Sequence, residues 1–273
     1  MVRAHPTLRR KLLRDMRRQW PLFVSVTVTM TLGVACFTAS FGAYRNMTAS
    51  YVGVFNTERV ADLWVTGGDV EGIVAAASHD PAVQAAATRT QADLPITVGA
   101  DKLRGRIAGI PSAAVGRTTL LSGHDPTDDR QVLVEHHMAD HFRLHAGDAV
   151  SILGPHGWQR LTITGGVSSA EYLWPSRDRQ EVFPLPDNFG VLFAPNAIAS
   201  HISGTTDNQA LIRLHNGRDV AALDRLRSQA FAHGAIDVID RAQQPSNSLL
   251  SIDLNGFRSL AYVFLCCSLP SRR

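Results

Sequence analysis

Lysine is nearly missing from this 273-residue chain: Lys11 and Lys102 are the only two, and arginine supplies the other 25 basic residues. Neither lysine stands in a Gly-Lys-Ser/Thr context, which excludes a Walker A phosphate loop and with it an ATPase of the P-loop kind. Cysteine is almost as scarce, three in all, and residues 45–258 contain none. A disulfide-stapled scaffold is thereby excluded. Charged residues make up only 19% of the chain against 45% apolar ones, a balance that supports a packed core and not a disordered chain.

Basic charge is concentrated at the start. Residues 1–18 carry seven basic side chains and one acid, Asp15, for +6, and the remaining 255 residues sum to −3. A nucleic-acid reader spreads arginine over a binding face, so no nucleic-acid partner is expected; a short basic arm fits anionic lipid head groups. Residues 19–44 then run without a single charge. A helix of that length exceeds the ~30 Å hydrocarbon core of a bilayer. Its hydroxyls (Ser25, Thr27, Thr29, Thr31, Thr38, Ser40) can bond back to their own helix, and Trp20 and Tyr44 stand where interfacial aromatics belong. A cleavable signal is the rival reading. Its apolar region should be ~7–15 residues, shorter than this one, although Thr38-Ala-Ser-Phe-Gly-Ala43 could pass for a cleavage site. The positive-inside rule places the N-terminus in the cytoplasm and the bulk outside, at the cell (inner) membrane. Leu8, Leu12, Leu13, Met16 and Trp20 share one helical face among the arginines, so residues 1–18 are expected to lie on the inner leaflet as an amphipathic segment.

Beyond the span, Tyr44, Met47, Tyr51 and Phe55 recur at helical spacing and predict a stalk. Residues 61–66 read as a strand. Gly67-Gly68 breaks it, and Asp69 is placed to cap a helix over residues 70–78. Alternating stretches at 83–98 and 103–110 turn near Gly99-Ala-Asp101. From 111 to 206 the texture changes to short strands and turns (132–134, 149–153, 159–163, 191–193), and α/β texture returns with a strand at 210–214, a helix over 218–233 stopped by Gly234, and a strand at 236–239. The expected fold is α+β: a transmembrane helix (19–44), then an extracytoplasmic domain (45–258) in which a split α/β part (59–110 and 207–242) holds a β-rich insertion (111–206). Residues 259–273 begin like a second membrane helix and stop at Pro270.

Candidate chemistry is thin. His137, His141 and His145 stand four apart, within a run that also holds Glu135, His136 and Asp140. On one helical face they could bind zinc, against the plainer reading of a solvated face. Ser168, Ser169 and Glu171 lack a Gly-x-Ser-x-Gly elbow and an assignable base, so Glu171, Tyr172 and Trp174 read as anchors of a subdomain junction. Gly67-Gly68 lacks the full Gly-x-Gly-x-x-Gly of a dinucleotide turn. Trp64 and Trp174 read as core or interface anchors, and Cys36 as a small apolar residue. No catalytic, cofactor-binding or metal residue is assigned, and no enzyme is expected.

Several segments together resemble FtsX-like permeases of ABC transporters. They are Leu12-Leu-Arg-Asp-Met-Arg-Arg-Gln-Trp-Pro21, Gly42-Ala-Tyr-Arg-Asn46, Ala61-Asp-Leu-Trp64, Val167-Ser-Ser-Ala-Glu-Tyr-Leu-Trp174, Asp187-Asn-Phe-Gly-Val-Leu192 and Gln244-Pro-Ser-Asn247. The outer part is similar to the MacB-like periplasmic core domain, whose split "porter" part holds a β-rich insertion. The resemblance implies a permease component that transmits ATP-driven motion from a cytoplasmic ABC ATPase, beside a second permease copy, without cofactor or catalysis of its own. The alternative is a single-pass membrane protein whose outer domain binds a ligand or partner. The departure is at the end: relatives continue with something like Val-Phe-Pro-Val-Leu-Phe-Leu, whereas Val263-Phe264 runs into Leu-Cys-Cys-Ser-Leu269. Deleting one C from TTC CCT GTG CTG TTC CTT yields Phe-Leu-Cys-Cys-Ser-Leu. A frameshifted or truncated gene, lacking the loop that engages the ATPase, is therefore expected, with a genuine short tail as the alternative.

Overall fold

The computed structural model describes residue 14 and residues 16–111, 115–177 and 187–268. The amphipathic segment expected over 1–18 lies largely outside them, as do residues 269–273.

Helix α1 (Trp20–Thr57) takes in the uncharged run and the stalk without interruption. Its 38 residues extend roughly 57 Å at about 1.5 Å each. The hydroxyls of Thr29, Thr31 and Thr38 donate to the carbonyls of Ser25, Thr27 and Val34 at 2.9, 2.8 and 2.8 Å. These exposed polar groups therefore demand nothing from an apolar surrounding. Arg59, at φ 51, ends the helix. The Val60 N–H reaches back to the Phe55 carbonyl (3.0 Å) and the Arg59 N–H to that of Asn56 (3.3 Å), with Phe55 and Val60 both buried. This is a Schellman closure with arginine in the place glycine usually holds.

Residues Val52–Ser251 form one compact unit containing two sheets. The first is assembled from β1 (Leu63–Thr66), β2 (Val83–Arg89), β10 (Gln209–Leu214) and β11 (Asp237–Asp240), in the order β11-β1-β10-β2 with every neighbour antiparallel. Helices α2 (Val70–Ser78) and α5 (Val220–Ala232) pack their apolar stripes (Val70, Ile73, Ala77; Ala222, Leu226, Ala230) on one face. Asp69 caps α2 by accepting from the Gly72 N–H at 3.0 Å, as its position predicts, and Asp219 caps α5. The arrangement is two interleaved split β-α-β units.

The second sheet comprises β3 (Gln91–Val98), β4 (Asp101–Ile110), β5 (Thr119–Gly123), β6 (Gln131–Glu135), β7 (Ala149–Gly154), β8 (Gly157–Ser168) and β9 (Phe189–Pro195). The 12-residue β8 pairs with β7 along its first half, with β5 near its end and with β6 on its other side. Because β7 also pairs with β3, the strands β3-β4-β9-β6-β8-β7 close on themselves. Closure pairs these six strands on both sides, while β5 lies outside the ring as an edge strand on β8. Ile96, Ile107, Val132, Ile152, Leu161 and Leu192 fill the interior. Helices α3 (His136–Phe142) and α4 (Asn196–Ser203) add Met138 and Ile202 to it.

Four features depart from expectation. The stretch 83–98 is two strands in different sheets, divided at Thr90, so β3 and β4 pair within the β-rich sheet although the sequence reading opened that part at 111. Thr90 donates its N–H to Asn196 Oδ1 (2.7 Å) and its hydroxyl to Asp207 Oδ1 (2.8 Å). These anchors lie more than a hundred residues away, where no local pattern could show them. Helix α4 and strand β5 are additional. The last helix, α6 (Pro245–Ser268), starts fourteen residues before the apolar run at 259.

Candidate functional site

Strand β8 ends at Ser168, and Ser169 accepts from the Glu171 N–H at 3.3 Å to start a single buried 3₁₀ turn, Ala170–Tyr172. Ser169 thus caps a turn and Ser168 pairs with Thr119 in the sheet. Neither is arranged as a nucleophile.

Glu171 is the centre of the site. Its Oε1 accepts from Trp64 Nε1 of β1 at 3.1 Å, and its Oε2 pairs with Arg89 Nη1 at the end of β2 at 2.8 Å. The two charged side chains are 3% and 6% exposed, so this is a desolvated ion pair. Arg89 is held further by Gln209 Oε1, at 2.9 Å from Nε and 2.5 Å from Nη2, and by Gln91 at 3.3 Å. The Glu171 carbonyl accepts from Gln244 Nε2 at 2.6 Å, and the Trp174 N–H donates to Ser246 Oγ at 2.8 Å. Gln244 also caps the start of α6 through the Asn247 N–H at 2.8 Å. Three remote segments, 61–64, 167–174 and 244–247, therefore converge on one residue.

Three flanking groups have shifted protonation equilibria. Burial pushes the Glu58 carboxyl up, reinforced by the charge of Glu171 and opposed by the Ala170 N–H (2.5 Å) and the Thr119 hydroxyl (2.8 Å). Burial likewise pushes the Tyr172 phenol up, although Arg106 and Arg89 work against it, so the group is neutral. Its ring meets Phe193 edge-on at 5.8 Å. Arg106 grips Asp93 through two bonds, 2.6 and 2.9 Å, and lies over the Phe189 ring at 5.4 Å. Burial opposes its charge, but Tyr172 and Asp93 more than offset that. A cavity of about 280 Å³ opens beside the network, lined among others by Trp64, Arg89, Glu171, Tyr172, Gln209 and Gln244. Glu171 and Arg89 hold one another at its wall, and no paired nucleophile and base face it among the described residues.

Arg89, Gln209 and Glu58 were missed in the sequence. The one available signal was an arginine two residues after the alanine run at 85–87, at the end of the same strand, since a charge there needs a distant counter-ion. Gly67 and Gly68 have φ 77 and 76, and a Cβ on Gly68 would meet the His233 carbonyl oxygen and the Gly234 carbonyl carbon at 2.6 Å. They serve the close passage of two turns, which is a structural use of the glycine pair.

The histidine run is arranged differently from expectation. Arg143 adopts φ 54 and terminates α3 after Phe142, so His145 leaves the helix and the 137/141/145 face does not form. Instead Glu135, buried at the end of β6, gathers His136 and His137. Burial raises the Glu135 carboxyl, but the two imidazoles set against it outweigh this and hold it below the usual range; Glu135 in turn raises His136.

No protein-family profile matches the chain, and no curated protein does. Among solved structures it is similar to the extracellular domain of the noncanonic ABC-type transporter YknZ from Gram-positive bacteria. The identity is 14% and the TM-score 0.42, over 66% of this chain and 99% of that one. It is also similar to the periplasmic region of MacB from Actinobacillus actinomycetemcomitans, with 13% identity and a TM-score of 0.41 over 71% of this chain and 92% of that one.

Proposed function

We propose that the chain is a membrane permease component of an FtsX/MacB-type ABC transporter, acting by transmitting movement and not by catalysis. The observation that carries this reading is the convergence of Trp64, the Ala170–Tyr172 turn and Gln244 on the Glu171–Arg89 pair. Charge-assisted bonds to the buried carboxylate tie the four-stranded sheet to the turn after β8, and the neutral Gln244 and Ser246 bonds add the residues opening α6, so a displacement of one is passed to the others. These are also three of the segments that carry the resemblance. The helix Trp20–Thr57 is long and apolar enough to cross a bilayer. With six excess positive charges before it, the N-terminus is cytoplasmic and Val52–Ser251 extracytoplasmic. The partners are then the bilayer, a cytoplasmic ABC ATPase and a second permease copy, with no nucleic acid and no cofactor.

A second reading, a single-pass protein with an outer binding domain, draws on one observation: α1 is the sole helix among the described residues that meets the length and apolarity test for a span. One experiment separates the two. The tagged chain is co-expressed with an ABC ATPase of the FtsX/MacB type from the same organism, extracted in mild detergent and assayed for ATP turnover. Co-purification and altered turnover support the permease. A chain that stays in the membrane, exposes residues 52–251 to external protease and leaves the ATPase unbound supports the second reading. A chain that remains soluble without detergent overturns both.

A further inference from the structure

Glu135 is 1% exposed, yet it is a carboxylate. Its Oε2 is committed to the chain, accepting from the N–H groups of His137 (2.8 Å) and Met138 (3.4 Å). Its Oε1 faces two imidazoles at once: His136 Nδ1 at 2.6 Å and His137 Nδ1 at 2.8 Å. The His136 contact does not have hydrogen-bond geometry, and that nitrogen is buried with no hydrogen-bond partner. The two rings lie 3.8 Å apart. An acceptor oxygen thus stands against two nitrogens, one of them unsatisfied, with all three ligand atoms within 4.8 Å of one another. A cavity of about 580 Å³, lined by His136, Asp140, His145 and Leu121 among others, opens at His136.

We propose that Glu135, His136 and His137 form a three-ligand site for a divalent transition metal such as zinc. Two imidazoles and one carboxylate oxygen are a borderline donor set that suits such ions, and three protein ligands leave a position open. Water entering from the cavity fills it, with exposed Asp140 one helical turn from His136 to accept a bond from that water. Bonds of about 2.0–2.1 Å in a tetrahedron set donors roughly 3.3 Å apart, so each ring withdraws from Oε1 by about 0.6 Å. Both rings are about one-third exposed and have the room. The buried carboxylate is fixed by its backbone bonds and stays.

The test uses the full chain in detergent, without a histidine tag and stripped of metal. Cobalt(II) is titrated and followed by its visible d–d bands, and zinc is titrated by calorimetry. One equivalent per chain, a four- or five-coordinate cobalt spectrum and a zinc affinity lowered at least tenfold by His136→Ala and by His137→Ala support the site. His141→Ala and His145→Ala leave it unchanged. Circular dichroism and melting confirm that each variant is folded; His137→Gln, which cannot supply the imidazole but keeps a polar side chain, replaces any that is not. Absence of saturable binding below 100 µM metal overturns the proposal, as does binding that survives the His136/His137 double substitution or that is lost with His141→Ala.

Discussion

Removing the Glu171 carboxylate should be among the most damaging single changes in the Val52–Ser251 unit. Glu171→Ala strands Arg89, whose side chain is 3% exposed, and leaves the Trp64 indole N–H without its acceptor. Gln209 and Gln91 remain beside Arg89 but carry no charge. Breaking one half of a buried ion pair costs about 3–5 kcal/mol. In a unit of this size each kcal/mol lowers the melting temperature by about 2–4 °C, so the expected fall is roughly 6–20 °C. Glu171→Gln keeps one acceptor oxygen and should fall between wild type and Ala. The double substitution Arg89→Met with Glu171→Leu removes both charges together and should recover most of the loss. Thermal unfolding of the detergent-solubilised chain, followed by tryptophan fluorescence, measures all of these. The surface reference is Asp224→Ala, which breaks an exposed pair with Arg227 at 3.3 Å and should cost less than about 1 kcal/mol. If Glu171→Ala melts no lower than Asp224→Ala, or if the double variant is worse than either single one, the junction is not held as argued.

Glu58 and Asp207 should give pH dependences of opposite sign. The Glu58 pKa is raised in the fold, so its stabilising contribution is complete below the unfolded value of about 4.5 and is lost as pH rises through the folded one. Relative to Glu58→Gln, wild type should lose melting temperature upward from pH 4.5, and a flat difference between the two proteins counts against burial as the cause. At Asp207 burial raises the pKa, but donation from Thr88, Thr90 and Asn196 outweighs it and the net shift is downward. Its stabilisation is present above about 3.9 and lost as pH falls through the lowered value, so Asp207→Asn should be less stable at neutral pH and should narrow the gap in acid. Gly68→Ala should cost well over the roughly 1–2 kcal/mol of a left-handed alanine, because its Cβ meets backbone at 2.6 Å; Gly99→Ala, at φ 59 with nothing within 4 Å, should cost only that amount. Equal melting temperatures for the two variants would refute the close-approach reading.

Locally encoded features were legible in the sequence. Asp69 after two glycines marks the start of α2, Gly99-Ala-Asp101 marks the β3–β4 turn, and Gly234 marks the end of α5. The uncharged run with its continuing spacing at Tyr44, Met47 and Tyr51 gives α1 almost to its end. Features created by remote partners were not legible. Neither glycine nor proline stands at Thr90, where the chain changes sheets, because Asn196, Asp207 and Asn208 make that break. Every residue of β5 is exposed, so it shows no apolar alternation. The early part of α6 was hidden by Asn247, Asp253 and Asn255 among its apolar residues, although Pro245 after a capping glutamine was a usable start signal. In the candidate site, Glu171 and Trp64 were noticed as anchors, but only the fold shows that Arg89 and Gln209 complete them.

The closed sheet is entered and left by neighbouring peptide groups: the Asn208 N–H donates to the Arg89 carbonyl at 3.1 Å, and the Asn208 side chain is bonded to both the N–H and the carbonyl of Gln91. More than a hundred residues thus hang from a single doorway. Joining Arg89 to Asn208 through a short linker would leave β1, α2, β2, β10, α5 and β11 in uninterrupted succession, a complete two-layer α/β sandwich. Descendants could therefore enlarge, shrink or replace the hanging module wholesale while keeping its host sandwich, provided that Trp64 and Arg89 found new company.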